Sequence, residues 1–92
     1  MEKEVLLSRL RQLKKDVDAS SSLIDEPTVD IANHLLNEAK EHYEDLRDLE
    51  SIKTKTYSPG GKKASQREVS AKLGQAIAVL EADIEGPSVE AG

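Results

Sequence analysis

The fold of this chain is expected to depend on residues 27–52, whose sequence is PTVDIANHLLNEAKEHYEDLRDLESI. Apolar residues recur every three or four positions along this segment, which is the longest uninterrupted helical pattern in the chain. These apolar positions are Ile31 or Ala32, then Leu35, Leu36, Ala39, Tyr43, Leu46, Leu49 and Ile52. We therefore predict one long helix over about 27–53, against which the rest of the chain packs.

Two further helical patterns flank this segment. A helix over about 3–21 is predicted from a single apolar face, formed by Leu6, Leu10, Leu13 and Val17. A helix over about 66–85 is predicted because Ser65 and Glu68 fit a capping box at its start. Between these helices, β-branched threonines and a Ser-Pro-Gly-Gly turn predict a flexible connecting segment over residues 53–67.

Three amphipathic helices predict an all-α fold, a small antiparallel three-helix bundle. Residues 1–86 would form a single helical domain, and residues 87–92 a disordered C-terminal tail. The alternative is that the helices cover one another between two chains, which would give a homodimer. A row of small residues on the third helix favours such a contact; its members are Gly74, Ala78 and Ala82.

Composition excludes several classes of protein. The chain has 92 residues and no cysteine, so disulfides, thiolate chemistry and Cys-ligated zinc are excluded. Nowhere do 18 apolar residues run together, and the charged N-terminal sequence is not a signal peptide, so we expect a cytoplasmic protein without membrane contact. A chain of this size leaves few residues for the walls of a catalytic pocket, and we therefore expect no enzymatic activity.

Charge is distributed unevenly along the chain. The net charge is −5, but residues 25–52 carry nine acidic and two basic side chains, whereas residues 53–67 carry five basic and no acidic ones. We expect the acidic face of the second helix, with the basic segment beside it, to bind a partner. The predicted partner-binding residues are Glu38, Glu41, Glu44, Asp45, Asp48, Lys53, Lys55, Lys62 and Lys63.

These features predict a non-enzymatic protein-binding module that acts as a regulator, an inhibitor or an immunity-type protein. Its partner would be another protein with a basic surface. One alternative is a structural or assembly subunit that associates with itself through helix packing. A third is a weak nucleic-acid binder that uses residues 53–67, although the net acidity and the absence of Phe and Trp argue against nucleic acid.

Three local motifs do not extend into sites. His34, Glu38 and His42 are spaced four apart, but successive steps of four rotate around the helix, so we predict no metal site. Gly60-Gly61-Lys62 lacks the first glycine of a phosphate loop, so we predict no cofactor. Residues 65–74 resemble the first half of a helix-turn-helix DNA-binding motif; the apolar and acidic sequence after them instead predicts one continuous helix.

Overall fold

The computed structural model describes residues 1–58 and 60–86, and it contains strands as well as helices. The helices are α1 (Lys3–Asp18), α2 (Glu26–His42) and α3 (Gln66–Ile84), with a short 3₁₀ helix at Glu44–Leu46. The strands are β1 (Leu23–Asp25), β2 (Lys55–Tyr57) and β3 (Gly61–Ser65). The prediction of an all-α three-helix bundle is therefore wrong, and the fold is α+β. The predicted tail, residues 87–92, lies outside the described residues.

The predicted long helix over 27–53 ends early, at His42. Tyr43 adopts extended backbone angles (φ −134°, ψ 123°), although its amide still donates a hydrogen bond to the Ala39 carbonyl at 3.1 Å. A longer helix would have aligned like charges four residues apart, at Glu41 and Asp45 and again further along, which destabilises a helix. The turn instead brings Leu46 into the core, where its side chain is buried.

Two segments predicted as connections between helices form an antiparallel sheet with the strand order β1-β3-β2. In the central pairing, Ile24 of β1 lies opposite Ala64 of β3, and both side chains are buried. Only one face of the sheet is therefore apolar. The strands were missed because β1 and β2 are three residues long, too short for an alternating pattern to distinguish them from turns.

The core lies mainly between α1, α2 and α3. Leu6 and Leu10 of α1 and Leu73 of α3 are fully buried, which confirms the predicted apolar faces of these helices. On α2, the alternative between two residues is resolved, since Ala32 is buried and Ile31 is 54 % exposed. The apolar face of α1 is thus used within its own chain. Among the described residues, no helix combines the length and apolar character needed to cross a membrane.

Helix α3 begins and continues as predicted. Its N-cap Ser65 accepts a hydrogen bond from the Glu68 amide at 3.4 Å, and the helix is unbroken to Ile84, so the turn of a helix-turn-helix is not formed. Gly74 lies against α1, where an added Cβ would stand 3.4 Å from Lys14 Cε. This member of the small-residue row therefore serves a contact within the chain, whereas Ala78 and Ala82 are exposed.

Candidate functional site: a basic hairpin and an acidic segment

Asn33 of α2 positions the chain that enters the hairpin. Its Nδ2 donates a hydrogen bond to the Ile52 carbonyl at 2.9 Å, and its Oδ1 accepts one from the Ile52 amide at 2.8 Å. These bonds supply the two partners that a neighbouring strand would give to Ile52. Because the Ile52 side chain is also buried, the backbone is fixed against α2 immediately before Lys53.

We call residues 53–67, which contain β2 and β3, the basic hairpin. In its register Lys55 lies directly opposite Lys63, and Thr56 lies opposite Lys62. The turn uses glycines at positive φ, the conformation that glycine adopts most readily. Since like charges directly opposite each other destabilise an antiparallel pair, the hairpin keeps its positive charge at the expense of its own stability.

The basic side chains of the hairpin form no salt bridge with any residue in the described part of the chain. Cations on the helices include several that are paired, such as Arg11, whose Nη2 is 2.7 Å from a Glu81 oxygen. Asp25 of β1 is the acidic residue opposite Lys63 in the sheet, but the two charges do not form a salt bridge. The positive charge of the hairpin is therefore available to a partner.

Tyr57 is the aromatic side chain of the hairpin. Side chains alternate along a strand and directly opposed residues share a face, so Tyr57 lies on the same face as Lys55 and Lys63. This is the face opposite the buried Ala64. Tyr57 is 37 % exposed, and its cross-strand neighbour Gly61 has no side chain to cover the ring. The outer face of the hairpin therefore combines two cations with an exposed aromatic ring.

The acidic side chains that were predicted to form one helix face are divided between three elements. Glu38 and Glu41 belong to α2, Glu44 and Asp45 to the 3₁₀ helix, and Asp48 to the turn that follows. Because these elements change direction, no single helix face presents all five carboxylates. These residues are neighbours in the sequence, but in the fold they do not form the continuous helix face that the periodicity suggested.

We call residues 41–50 the acidic segment. Its carboxylates form no salt bridge within the described residues. Glu38, just before the segment, is half-buried and lies 3.4 Å from the amino group of Met1. Lys72 of α3 contacts the backbone of the segment, since its Nζ donates a hydrogen bond to the Glu50 carbonyl at 2.8 Å. The acidic segment is thus a second charged surface whose carboxylates have no salt-bridge partner in the part of the chain that the structure describes.

Helix α2 separates the start of the acidic segment from the central strand of the hairpin. In the sheet, Lys63 of the hairpin lies opposite Asp25, directly before the N-terminus of α2. The acidic segment begins at the C-terminus of α2. A helix of 17 residues is about 25 Å long, roughly three Debye lengths at physiological ionic strength. The start of the acidic segment is therefore far from Lys63 along α2, whereas its last residue, Glu50, lies three residues before Lys53 in the chain.

A separate polar cluster joins α1 and α3 to the residue after α2. The Tyr43 hydroxyl donates a hydrogen bond to Asp83 Oδ2 at 2.7 Å, and Lys3 Nζ lies 3.0 Å from the same oxygen and 5.0 Å from the centre of the Tyr43 ring. Burial and this hydrogen bond raise the pKa of Tyr43 to about 12. Hydrogen bonds from Tyr43 and Lys3 lower the pKa of Asp83. The two pKa shifts favour a neutral Tyr43 phenol and an ionised Asp83 carboxylate, which are the forms that make this hydrogen bond. The cluster therefore has a structural role.

The histidines of α2 are not gathered into a metal centre. His34 is exposed, and His42 Nε2 lies 2.9 Å from the Met1 carbonyl oxygen. In residues 1–58 and 60–86, no group of three or more His, Cys, Asp or Glu side chains is arranged to hold a metal ion.

Comparison of the chain with protein-family models, with curated proteins and with solved structures found no match. Function is therefore inferred from the charges and geometry of the chain itself.

Sequence patterns did not single out Asn33 or Tyr57. Asn33 acts on Ile52, 19 residues away, and no local pattern predicts that contact. A signal for Tyr57 does exist, because residues 53–57, KTKTY, alternate β-branched and basic side chains shortly before a Gly-Gly pair. That combination is typical of a strand entering a hairpin.

Proposed function

We propose that this chain is a non-enzymatic, cytoplasmic binding module whose basic hairpin holds a nucleic-acid backbone. The observation that supports the proposal is the hairpin register, which gathers Lys55, Lys62 and Lys63 without a salt bridge to any acidic residue among residues 1–58 and 60–86. Lysine contacts to phosphates supply affinity that does not depend on base sequence. A two-stranded ribbon also matches the width of the groove of a duplex.

The net charge of −5 opposes this binding at long range. Its effect is reduced for Lys63 because the acidic segment begins at the C-terminus of α2, about 25 Å along the helix from the sheet, although the segment ends three residues before Lys53. Local opposition comes from Asp25, beside Lys63, and from Glu50, three residues before Lys53. We therefore expect modest affinity that depends strongly on salt.

The proposal is tested by fluorescence anisotropy with labelled single strands and duplexes of about 20 nucleotides. If the four lysines of the hairpin each neutralise one phosphate, single-strand affinity should fall about 50-fold between about 50 and 200 mM salt. The double variant Lys62→Ala/Lys63→Ala should weaken binding to both probes and reduce the salt dependence to about half. The control is Arg9→Ala/Lys15→Ala, which removes the same charge from exposed positions on α1.

The result against the proposal would be equal binding by the two double variants, or no binding of either probe at the lower salt concentration. Equal binding would mean that total charge, and not the hairpin, determines affinity. Circular dichroism of each variant checks that the fold is retained.

A second candidate function is the binding of a protein with a basic surface by the acidic segment. It is supported by the exposure of Glu41, Glu44, Asp45 and Asp48, whose carboxylates have no salt bridge within the described residues. Exposed unpaired charge promotes encounter with a partner of opposite sign.

This candidate is tested with a labelled lysine-rich peptide as the probe. Charge reversal in Asp45→Lys/Asp48→Lys should abolish peptide binding, whereas the matched reversal Asp16→Lys/Asp30→Lys, at exposed helix positions, should reduce it only slightly. If the two variants lost equal affinity for the peptide, net charge alone would explain the binding, and the acidic segment would not be a defined binding surface.

A further inference from the structure

We infer that Tyr57 stacks on a nucleobase, so that the basic hairpin prefers single-stranded nucleic acid to duplex; this inference rests on the proposed function. The ring lies on the outer face of the hairpin, two residues from Lys55 on the same strand. That arrangement places an aromatic platform directly beside cations. Binding sites for single strands combine these two elements, since the cations follow the backbone and the ring stacks on a base.

Among the described residues, the surroundings of Tyr57 leave part of its side chain exposed. Its cross-strand neighbour is Gly61, and an added Cβ at Gly61 would meet no heavy atom within 4 Å. Within the described residues, Tyr57 takes part in none of the aromatic, cation–π or side-chain hydrogen-bond contacts. The other tyrosine, Tyr43, is by contrast held by Asp83 and Lys3.

The two faces of the hairpin therefore differ in what they offer a ligand. Lys55, Lys63 and Tyr57 share the outer face, whereas Thr56 and Lys62 point to the other side. A single strand lying along the outer face would contact cations on both β2 and β3 and place one base over the ring. A duplex keeps its bases stacked inside the helix, so it would gain the phosphate contacts alone.

The test uses wild-type protein, Tyr57→Ala and Tyr57→Phe with a single strand, its duplex and heparin, a polyanion without bases. Tyr57→Ala should weaken single-strand binding by about 5- to 100-fold and change duplex and heparin binding by less than about 2-fold. Tyr57→Phe keeps the ring and should bind the single strand within about 2-fold of wild type.

A direct readout comes from the Tyr57→Trp variant. Because the chain contains no tryptophan, the emission of this variant reports on position 57 alone. Stacking should quench this emission with the single strand, and the duplex and heparin should leave it nearly unchanged.

The outcomes separate the two proposals. If Lys62→Ala/Lys63→Ala weakens binding but Tyr57→Ala does not, the hairpin binds phosphates and stacking is refuted. Stacking is also refuted if wild type binds heparin and single strands equally well and Tyr57→Ala changes neither. If wild type binds no nucleic acid, both proposals fail together.

Discussion

Replacing Asn33 with alanine removes the two hydrogen bonds that fix Ile52 against α2. The backbone amide and carbonyl of Ile52 would then lie at a buried residue, 3 % exposed, without these partners. Each buried polar group left unsatisfied costs about 1–3 kcal/mol, and lower values apply where water can enter. Since these bonds are only partly buried, we expect Asn33→Ala to lower the free energy of unfolding by about 2–3 kcal/mol in total.

The assay is urea unfolding followed by circular dichroism. For a domain of this size, a loss of about 2–3 kcal/mol moves the urea midpoint down by about 2 M. Asn37→Ala is the matched control, because Asn37 is an exposed residue of the same helix. It should change stability by no more than about 0.5 kcal/mol. Asn33→Asp keeps an acceptor for the Ile52 amide but places a carboxylate oxygen against the Ile52 carbonyl, so it should not restore wild-type stability.

Hydrogen exchange gives a second measurement at the hairpin. Asn33→Ala should speed exchange of amides in β2 more than in the centre of α3, because the lost bonds position the entry to β2. The reasoning would be refuted if Asn33→Ala and Asn37→Ala unfolded at the same urea concentration. In the all-α bundle that periodicity suggested, one straight helix would carry both Asn33 and Ile52, and their side chain and backbone could not meet.

Three further predictions concern other contacts. Gln66 Nε2 donates hydrogen bonds to the carbonyls of Val17 (2.7 Å), Asp18 (3.2 Å) and Ser20 (3.0 Å), at and just after the C-terminal end of α1. Gln66→Ala should therefore lower the free energy of unfolding, measured in urea, by about 1–2 kcal/mol. Gln66→Glu cannot donate these bonds and should not restore the stability. Leu73→Ala, at a fully buried position, should cost about 2–5 kcal/mol in the same assay, whereas Val5→Ala, 40 % exposed, should cost under about 0.5 kcal/mol. The pKa of Tyr43 is raised to about 12 in the fold. In the Tyr57→Phe variant Tyr43 is the one remaining tyrosine, so spectroscopic titration should show a phenolate midpoint near 12. A midpoint near the ordinary value of about 10 would contradict the contact with Asp83.

The sign of the Tyr43 contribution follows from its raised pKa. The folded state favours the neutral phenol, so the contribution to stability is complete below the unfolded pKa of about 10 and is lost as pH rises towards 12. Asp83 behaves in the opposite way. Its pKa is lowered in the fold, so its contribution is present above the unfolded value and is lost as the pH falls through the acidic range.

Local sequence was sufficient for the features that one helix face or one helix end controls. The apolar face of α1, the start of α3 at Ser65 and the continuity of α3 past Gly74 all follow from the identity of neighbouring residues. The concentration of positive charge in residues 53–67 was also visible in the sequence. What the sequence did not show was that Lys55, Lys62 and Lys63 lie on paired strands, with Lys55 and Lys63 side by side.

The segment 27–52 shows where local information ends. Its periodicity correctly predicted which residues are buried from Ala32 to Ala39, and Leu46 and Ile52 are also buried. The same periodicity wrongly extended the helix through them, because a buried residue can reach the core from a helix or from a turn. The sequence by itself determined the helical faces, the cap at Ser65 and the two blocks of charge. Only the tertiary structure decided the end of α2, the sheet and the register that places Lys55 beside Lys63, because each depends on contacts such as Asn33 with Ile52 between residues far apart in the chain.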